Sequence, residues 1–166
     1  HVGLNHFATL FEKVRGLLAP DGVALIHGIG RKDGPSSNHA RLRKYIFPGS
    51  YAPALSEVLA AVERSKLWVT DVEVLRLHYA YTLQRWREKF DANRDKARAL
   101  YDERFCRMWE VYLIGTELFF TRLEGFIFQI QLAKDRAVVP LGRDYMFEAE
   151  RAMEPRAERA TARAAE

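Results

Sequence analysis

The chain has 166 residues, 48% of them apolar and 12% aromatic, which is enough for one packed core and argues against disorder over most of its length. Its 26 Lys and Arg outnumber 22 Asp and Glu, and a single cysteine, Cys106, excludes an internal disulfide framework and a cysteine-rich zinc site. No apolar run reaches the roughly 18 residues that span a bilayer, and the opening lacks the basic-then-apolar pattern of a signal peptide, so a cytoplasmic location is expected and no metal site is. Positive charge collects in residues 31–50, where Arg31, Lys32, Arg41, Arg43 and Lys44 face Asp33 alone. Such a run is either a solvated loop or a surface that attracts anionic lipid headgroups. Nucleic acid is not expected as a partner, because no helix-turn-helix, zinc-finger or RNA-binding motif accompanies the charge.

In chain order, Asn5 to Leu18 has apolar residues at Phe7, Leu10, Phe11, Val14, Leu17 and Leu18, the spacing of a one-faced helix, with Asn5 as its cap. Pro20-Asp21-Gly22 is a turn, and Val23 to Ile26 is a short strand buried on both faces, ending in His27-Gly28-Ile29-Gly30 where strand passes into loop. The long Gly-, Pro- and Ser-containing loop that follows is of the kind that tends to be functional. Ala54 to Ser65 is a helix, Trp68 to Leu75 an alternating strand, and Tyr79 to Phe90 a helix broken near Asp91-Ala92-Asn93, with a charged helical stretch on to Leu100. Residues 102–124 form the longest helix, rich in aromatics, and Phe126 to Leu132 the last strand. The tail from Arg143 is polar, interrupted by Pro155, and expected to be a frayed helix or disordered. This alternation specifies an α/β layered domain with a mostly parallel sheet. Three strands are fewer than the about five to seven of a doubly wound sheet, so the chain is expected to hold only part of a fold.

Several collinear strings resemble the cyclopropane-fatty-acyl-phospholipid synthase family of S-adenosylmethionine-dependent methyltransferases. They are HVG at 1–3, DGVALIHGIG at 21–30, KYIFPGSYAPALSEV at 44–58, HYAYTLQRW at 78–86, YDERFCRMWEVYL at 101–113 and FQIQLAK at 128–134. The resemblance implies the carboxy-terminal half of a Rossmann-like methyltransferase fold with an aromatic-rich helical substrate region. Residues 1–142 would belong to the catalytic domain and 143–166 would be a helical or disordered tail. The family's glycine-rich cofactor loop would lie upstream of His1. Gly28-Ile29-Gly30 does not replace it, because it does not open a helix, so these residues alone are expected to be inactive.

The resemblance also implies roles for particular residues. His27, Tyr79 and the backbone carbonyl of Ile29 match the positions that hold a bicarbonate ion, the general base of the family reaction. Tyr81 would face elsewhere. Tyr112 and Thr116, with Phe47, match positions lining the acyl channel, and Cys106 matches none and is read as a small buried apolar residue. The implied reaction adds a methylene from S-adenosylmethionine across a cis double bond of a phospholipid acyl chain. Its partners would be that chain and an anionic membrane surface approached peripherally, and a homodimer is left open. Two other readings stand beside it: N-methylation of a small amine, and a non-enzymatic acyl-binding module.

Overall fold

The computed structural model of the chain describes residues 3–36 and 44–163, without the side chains of residue 4 and residues 154–163. His1 and Val2 of the HVG string, and Arg41 and Arg43 of the basic segment, lie outside the described residues. The chain divides into two compact units, 1–135 and 136–166. In the first, a 3-10 turn at Leu4–His6 leads into α1 (Phe7–Leu17), β1 (Val23–Arg31), α2 (Leu55–Arg64), β2 (Trp68–Val74) and α3 (His78–Ala92). There follow α4 (Arg94–Leu100), α5 (Glu103–Thr121) and β3 (Gly125–Ala133). The second unit holds α6 (Asp144–Arg163), a single helix that runs through Pro155, the helical form of the expected helical or disordered tail. Its Ala, Glu and Arg residues are strong helix formers.

The α/β layering is as expected, but the sheet is not mostly parallel. Its order is β1-β3-β2, and β3 runs antiparallel to both neighbours. β1 and β2 point the same way, as the crossover through α2 demands, yet β3 lies between them. The connection explains the difference from expectation. The helical excursion α3–α5 can return the chain in either direction, and alternation of helices and strands does not say which gap the last strand fills.

β3 carries a core on each face. On one, α1 and α2 bring Phe11, Val58 and Val62 against Phe128, Ile130 and Leu132. On the other, α3 and α5 bring Ala80, Leu83, Leu113 and Phe120 against Ile127. The same second face carries Gln129 and Gln131, by the two-residue alternation of a strand. Local capping follows the residue types. The Glu57 carboxylate accepts from the Ala54 N–H at 2.8 Å, and the Tyr51 hydroxyl donates to both Glu57 oxygens at 2.8 and 2.9 Å. Asp102 caps α5 by accepting from the Phe105 N–H at 2.6 Å. Asn5 does not cap α1: it lies in the 3-10 turn, and His6 occupies the cap position without a side-chain bond.

Candidate active site

β1 departs from expectation in a way that shapes the site. It is nine residues long rather than four, it is one of the two edge strands of the three-stranded sheet, and its Val23, Leu25 and His27 face is exposed, so it is not buried on both faces. Val23 and Leu25 are 43% and 59% exposed. Gly28 and Gly30 lie inside the strand, not in a loop beyond it. They sit opposite Phe128 and Phe126 of β3, and a β-carbon at Gly28 would come within 2.7 Å of the Phe128 ring, one at Gly30 within 3.0 Å of the Phe126 ring. Glycine is needed because the neighbouring strand lays aromatic rings over the backbone.

His27 is consequently the fifth residue of β1, not its carboxyl end. It is exposed, faces Gln129 across the ladder, and has its Nδ1 3.4 Å from Gln129 Nε2. Ile29 lies two residues further along on the same face and packs with the second core. The backbone direction there can be read from its neighbours. The Arg31 N–H donates outward to the Pro53 carbonyl at 3.0 Å, while the Lys32 N–H donates to the Glu124 carbonyl at the head of β3, also at 3.0 Å. By alternation, the carbonyls of Ile29 and His27 point out of the sheet's open edge.

The α3–α5 hairpin supplies the other candidates. Tyr79, in the first turn of α3, packs edge-on against Phe120 at 5.1 Å and Trp86 at 5.9 Å. Tyr112, on α5, contacts Trp109 at 4.9 Å and takes the Phe47 ring edge-on at 5.8 Å. Ile29, Tyr79 and Tyr112 belong to one apolar cluster. Thr116, one turn beyond Tyr112, donates its hydroxyl to the Tyr112 carbonyl at 2.7 Å. Tyr81 is 62% exposed, turned away from this cluster. Cys106 is buried. Among the described residues neither Tyr79 nor Tyr112 has a hydrogen-bond partner for its phenol. Burial raises the pKa of both, and the nearby Tyr79 phenol raises that of Tyr112 further. Both therefore remain neutral hydroxyl donors at neutral pH, held by apolar packing with their polar ends unengaged.

Five of the six candidates, namely Ile29, Tyr79, Phe47, Tyr112 and Thr116, gather around the hairpin. His27 shares the sheet face of Ile29 but lies outside the aromatic cluster. Trp86 and Trp109 join this cluster without being among the sequence candidates. Their signal was available in spacing, Trp86 two helical turns after Tyr79 and Trp109 three residues before Tyr112. The ion pairs holding the hairpin together carried no such signal. Arg87 pairs with Glu117 at 3.2 Å, and Arg94 pairs with Glu103 and Glu110 at 2.9 and 3.0 Å. The basic segment is partly engaged too: Arg31 makes a two-pronged bond to Asp33 at 2.6 and 2.9 Å, and Lys44 lies over the Tyr45 ring. Among the described residues no cluster of His, Cys, Asp or Glu could hold a metal.

A sheet whose last strand inserts between two parallel-running neighbours, with an aromatic helical hairpin at one end of a face, is an α/β methyltransferase fold. It aligns with the structure of the cyclopropane synthase MmaA2 from Mycobacterium tuberculosis at a TM-score of 0.74 and 26% identity, over 81% of this chain and 52% of that one. The mycolic acid cyclopropane synthase CmaA1, in its complex with SAH and CTAB, aligns at 0.73 and 26% identity, over 80% and 51%. A probable fatty acid methyltransferase of Pseudomonas putida is 37% identical over 121 residues, 69% of this chain and 30% of that one. The family model for mycolic acid cyclopropane synthetase matches residues 1–130, and the chain belongs to that family. It spans between about a third and a half of the length of these relatives.

Proposed function

We propose that these residues are part of an S-adenosylmethionine-dependent methyltransferase that acts on a cis double bond of a phospholipid acyl chain and closes a cyclopropane ring there. The observation that supports this most is the pairing of two neutral, unpartnered phenols with an aromatic wall. Phe47, Trp109 and Tyr112 offer ring faces and edges but few hydrogen bonds, the lining that suits an alkene. Aromatic faces also stabilise the positive charge that develops when the double bond attacks a methyl donor.

Two groups are implied by the family. For the nucleotide cofactor the residues present do not fit: the one closely spaced glycine pair is covered by Phe126 and Phe128 and opens no helix. The cofactor is therefore assigned to a segment outside these residues, and the 166-residue chain is expected not to bind it. For bicarbonate the residue types suit the ion, which supports the assignment. The Tyr79 phenol and a His27 N–H would donate to it and the Ile29 carbonyl would lie beside it, and the ion supplies a general base for ring closure. Tyr79 contributes as a neutral donor whose orientation is set by the Phe120 and Trp86 rings. His27, exposed and adjacent to Gln129, would orient through that amide. The protein would meet its substrate at the cytoplasmic membrane surface; among the described residues no helix is long and apolar enough to cross a membrane.

The test is product analysis with the whole protein. Incubation with methyl-labelled S-adenosylmethionine and unsaturated phospholipid is expected to place label in a ring methylene, and Tyr79→Phe is expected to lower turnover by about 100-fold with cofactor affinity unchanged. Label in a methyl branch, in a small amine instead, or nowhere overturns the reading. Wild-type turnover in Tyr79→Phe removes Tyr79 from it.

A further inference from the structure

The charges of α5 are sorted by face. Its three acidic residues after the cap, Glu103, Glu110 and Glu117, recur every seven residues and are all tied to arginines of α3 and α4. The outward stripe of the same helix reads Arg104, Arg107, Val111, Ile114 and Leu118, continued by Arg122 at the C-cap, in the three- and four-residue steps of one helical face. Every member is exposed, and the apolar three are 61%, 41% and 47% so. Among the described residues none of the three arginines is in an ion pair. The stripe is therefore an apolar centre with guanidinium groups at both ends and no carboxylate within it. Gly115 lies on this face between Ile114 and Thr116, with nothing within 4 Å of where its β-carbon would be.

We propose that this stripe is the surface by which the protein docks on an anionic bilayer. The chemistry of the stripe selects that occupant. Val111, Ile114 and Leu118 would enter the acyl–headgroup boundary, while Arg104, Arg107 and Arg122 reach lipid phosphates on either side, the arrangement of an interfacial helix. An acidic protein partner would satisfy the arginines and leave the apolar centre unexplained. The surface is also continuous with the candidate acyl site. Tyr112 lies about 60° round the same helix from Gly115, and Thr116 follows it one turn on, so a chain drawn up beside Gly115 reaches Tyr112 first without passing through the helix. This docking surface rests on the lipid substrate proposed above and places contact on α5 rather than on the basic segment alone, where Arg31 is already bound to Asp33.

The experiment is sedimentation of the 166-residue chain with vesicles of phosphatidylcholine containing about one phosphatidylglycerol in three lipids. Changing all three arginines to Gln is expected to weaken partitioning about 100-fold at low salt, about five-fold for each charge. Val111→Gln, Ile114→Gln and Leu118→Gln together are expected to weaken it at least about 10-fold at unchanged charge. Circular dichroism melts within a few degrees of wild type are expected, since all six side chains are exposed. Unchanged partitioning in either variant overturns the proposal. So does a case in which the arginine variant alone loses binding and soluble polyglutamate competes fully with the vesicles, which is the signature of an acidic protein site. Methyl transfer is measured separately, on detergent-dispersed lipid with the whole protein. Docking through α5 without transfer overturns the functional reading and leaves the surface standing; transfer without docking does the reverse.

Discussion

At Gly28 a single methyl group tests how β1 meets β3. A β-carbon there would lie 2.7 Å from Phe128 Cζ and 3.2 Å from each flanking ring carbon. Carbon atoms in comfortable contact are about 3.5–4.0 Å apart, so the ring would have to retreat by about 1 Å. Phe128 is 3% exposed, with the Phe126 ring 6.3 Å away and the α1–α2 core packed around it. Its retreat therefore displaces the core rather than a free side chain. Overpacking of this kind costs about 1–3 kcal/mol, which for a chain of this size lowers the melting temperature by about 3–10 °C. Thermal melts followed by circular dichroism measure it. The control is Gly16→Ala in α1, where nothing lies within 4 Å of the new methyl; it is expected to stabilise by about 0.5–1 kcal/mol. Combining Gly28→Ala with Phe128→Leu, which returns space at the ring tip, is expected to recover about 1 kcal/mol relative to the sum of the single changes. A Gly28→Ala protein that melts within about 1 °C of wild type, or a coupling near zero, refutes the view that the ring dictates glycine.

The phenols make a pH prediction. Burial raises the pKa of Tyr79 and Tyr112 above the unfolded value, so the stability from keeping them neutral is complete below about pH 10 and is lost as pH rises through the folded values. Tyr79→Phe and Tyr112→Phe are each expected to leave the melting temperature at pH 8 almost unchanged and to flatten its fall above pH 10; equal slopes in wild type and variants count against the burial argument. Glu57→Ala removes the carboxylate that serves both the Ala54 N–H and the Tyr51 hydroxyl, and about 1–2 kcal/mol should disappear from urea unfolding. An unchanged midpoint would mean that neither bond matters in solution.

Much of the first unit was legible in the sequence, because its helices and strands carry clean periodicities. Leu55, Val58, Leu59 and Val62 define α2, and the Phe-Ile-Phe-Gln-Ile-Gln-Leu run defines β3. What could not be read is pairing. Nothing in residues 23–31 says that their neighbour is β3 and that β3 runs antiparallel, so the sequence alone makes the strand short, double-sided and parallel, and its glycines loop residues. They are glycines for a non-local reason, the rings of Phe126 and Phe128, which lie almost a hundred positions away in the chain. The site shows the same division. Tyr79, Tyr112, Thr116, Phe47 and Ile29 were found through a resemblance, and the fold brings them around one hairpin. The sorting of charge on α5, by contrast, became visible only once Arg87 and Arg94 had been seen to claim the acids.

That ion-pair ladder also fixes register. From Arg87 to Arg94 the chain advances seven residues, and from Glu117 to Glu110 the opposing helix goes back seven. One bond joins α5 to α3 and the other joins it to the start of α4, and together they work like a pair of detents. If α5 slid along its axis by one turn, about 5.4 Å, both bonds would break together, and an intermediate displacement would strain both. The axial height of Tyr112 relative to Tyr79 is thereby set by two contacts that involve neither phenol, and a length change anywhere in Asn93–Asp102 would be resisted by them before it reached the rings.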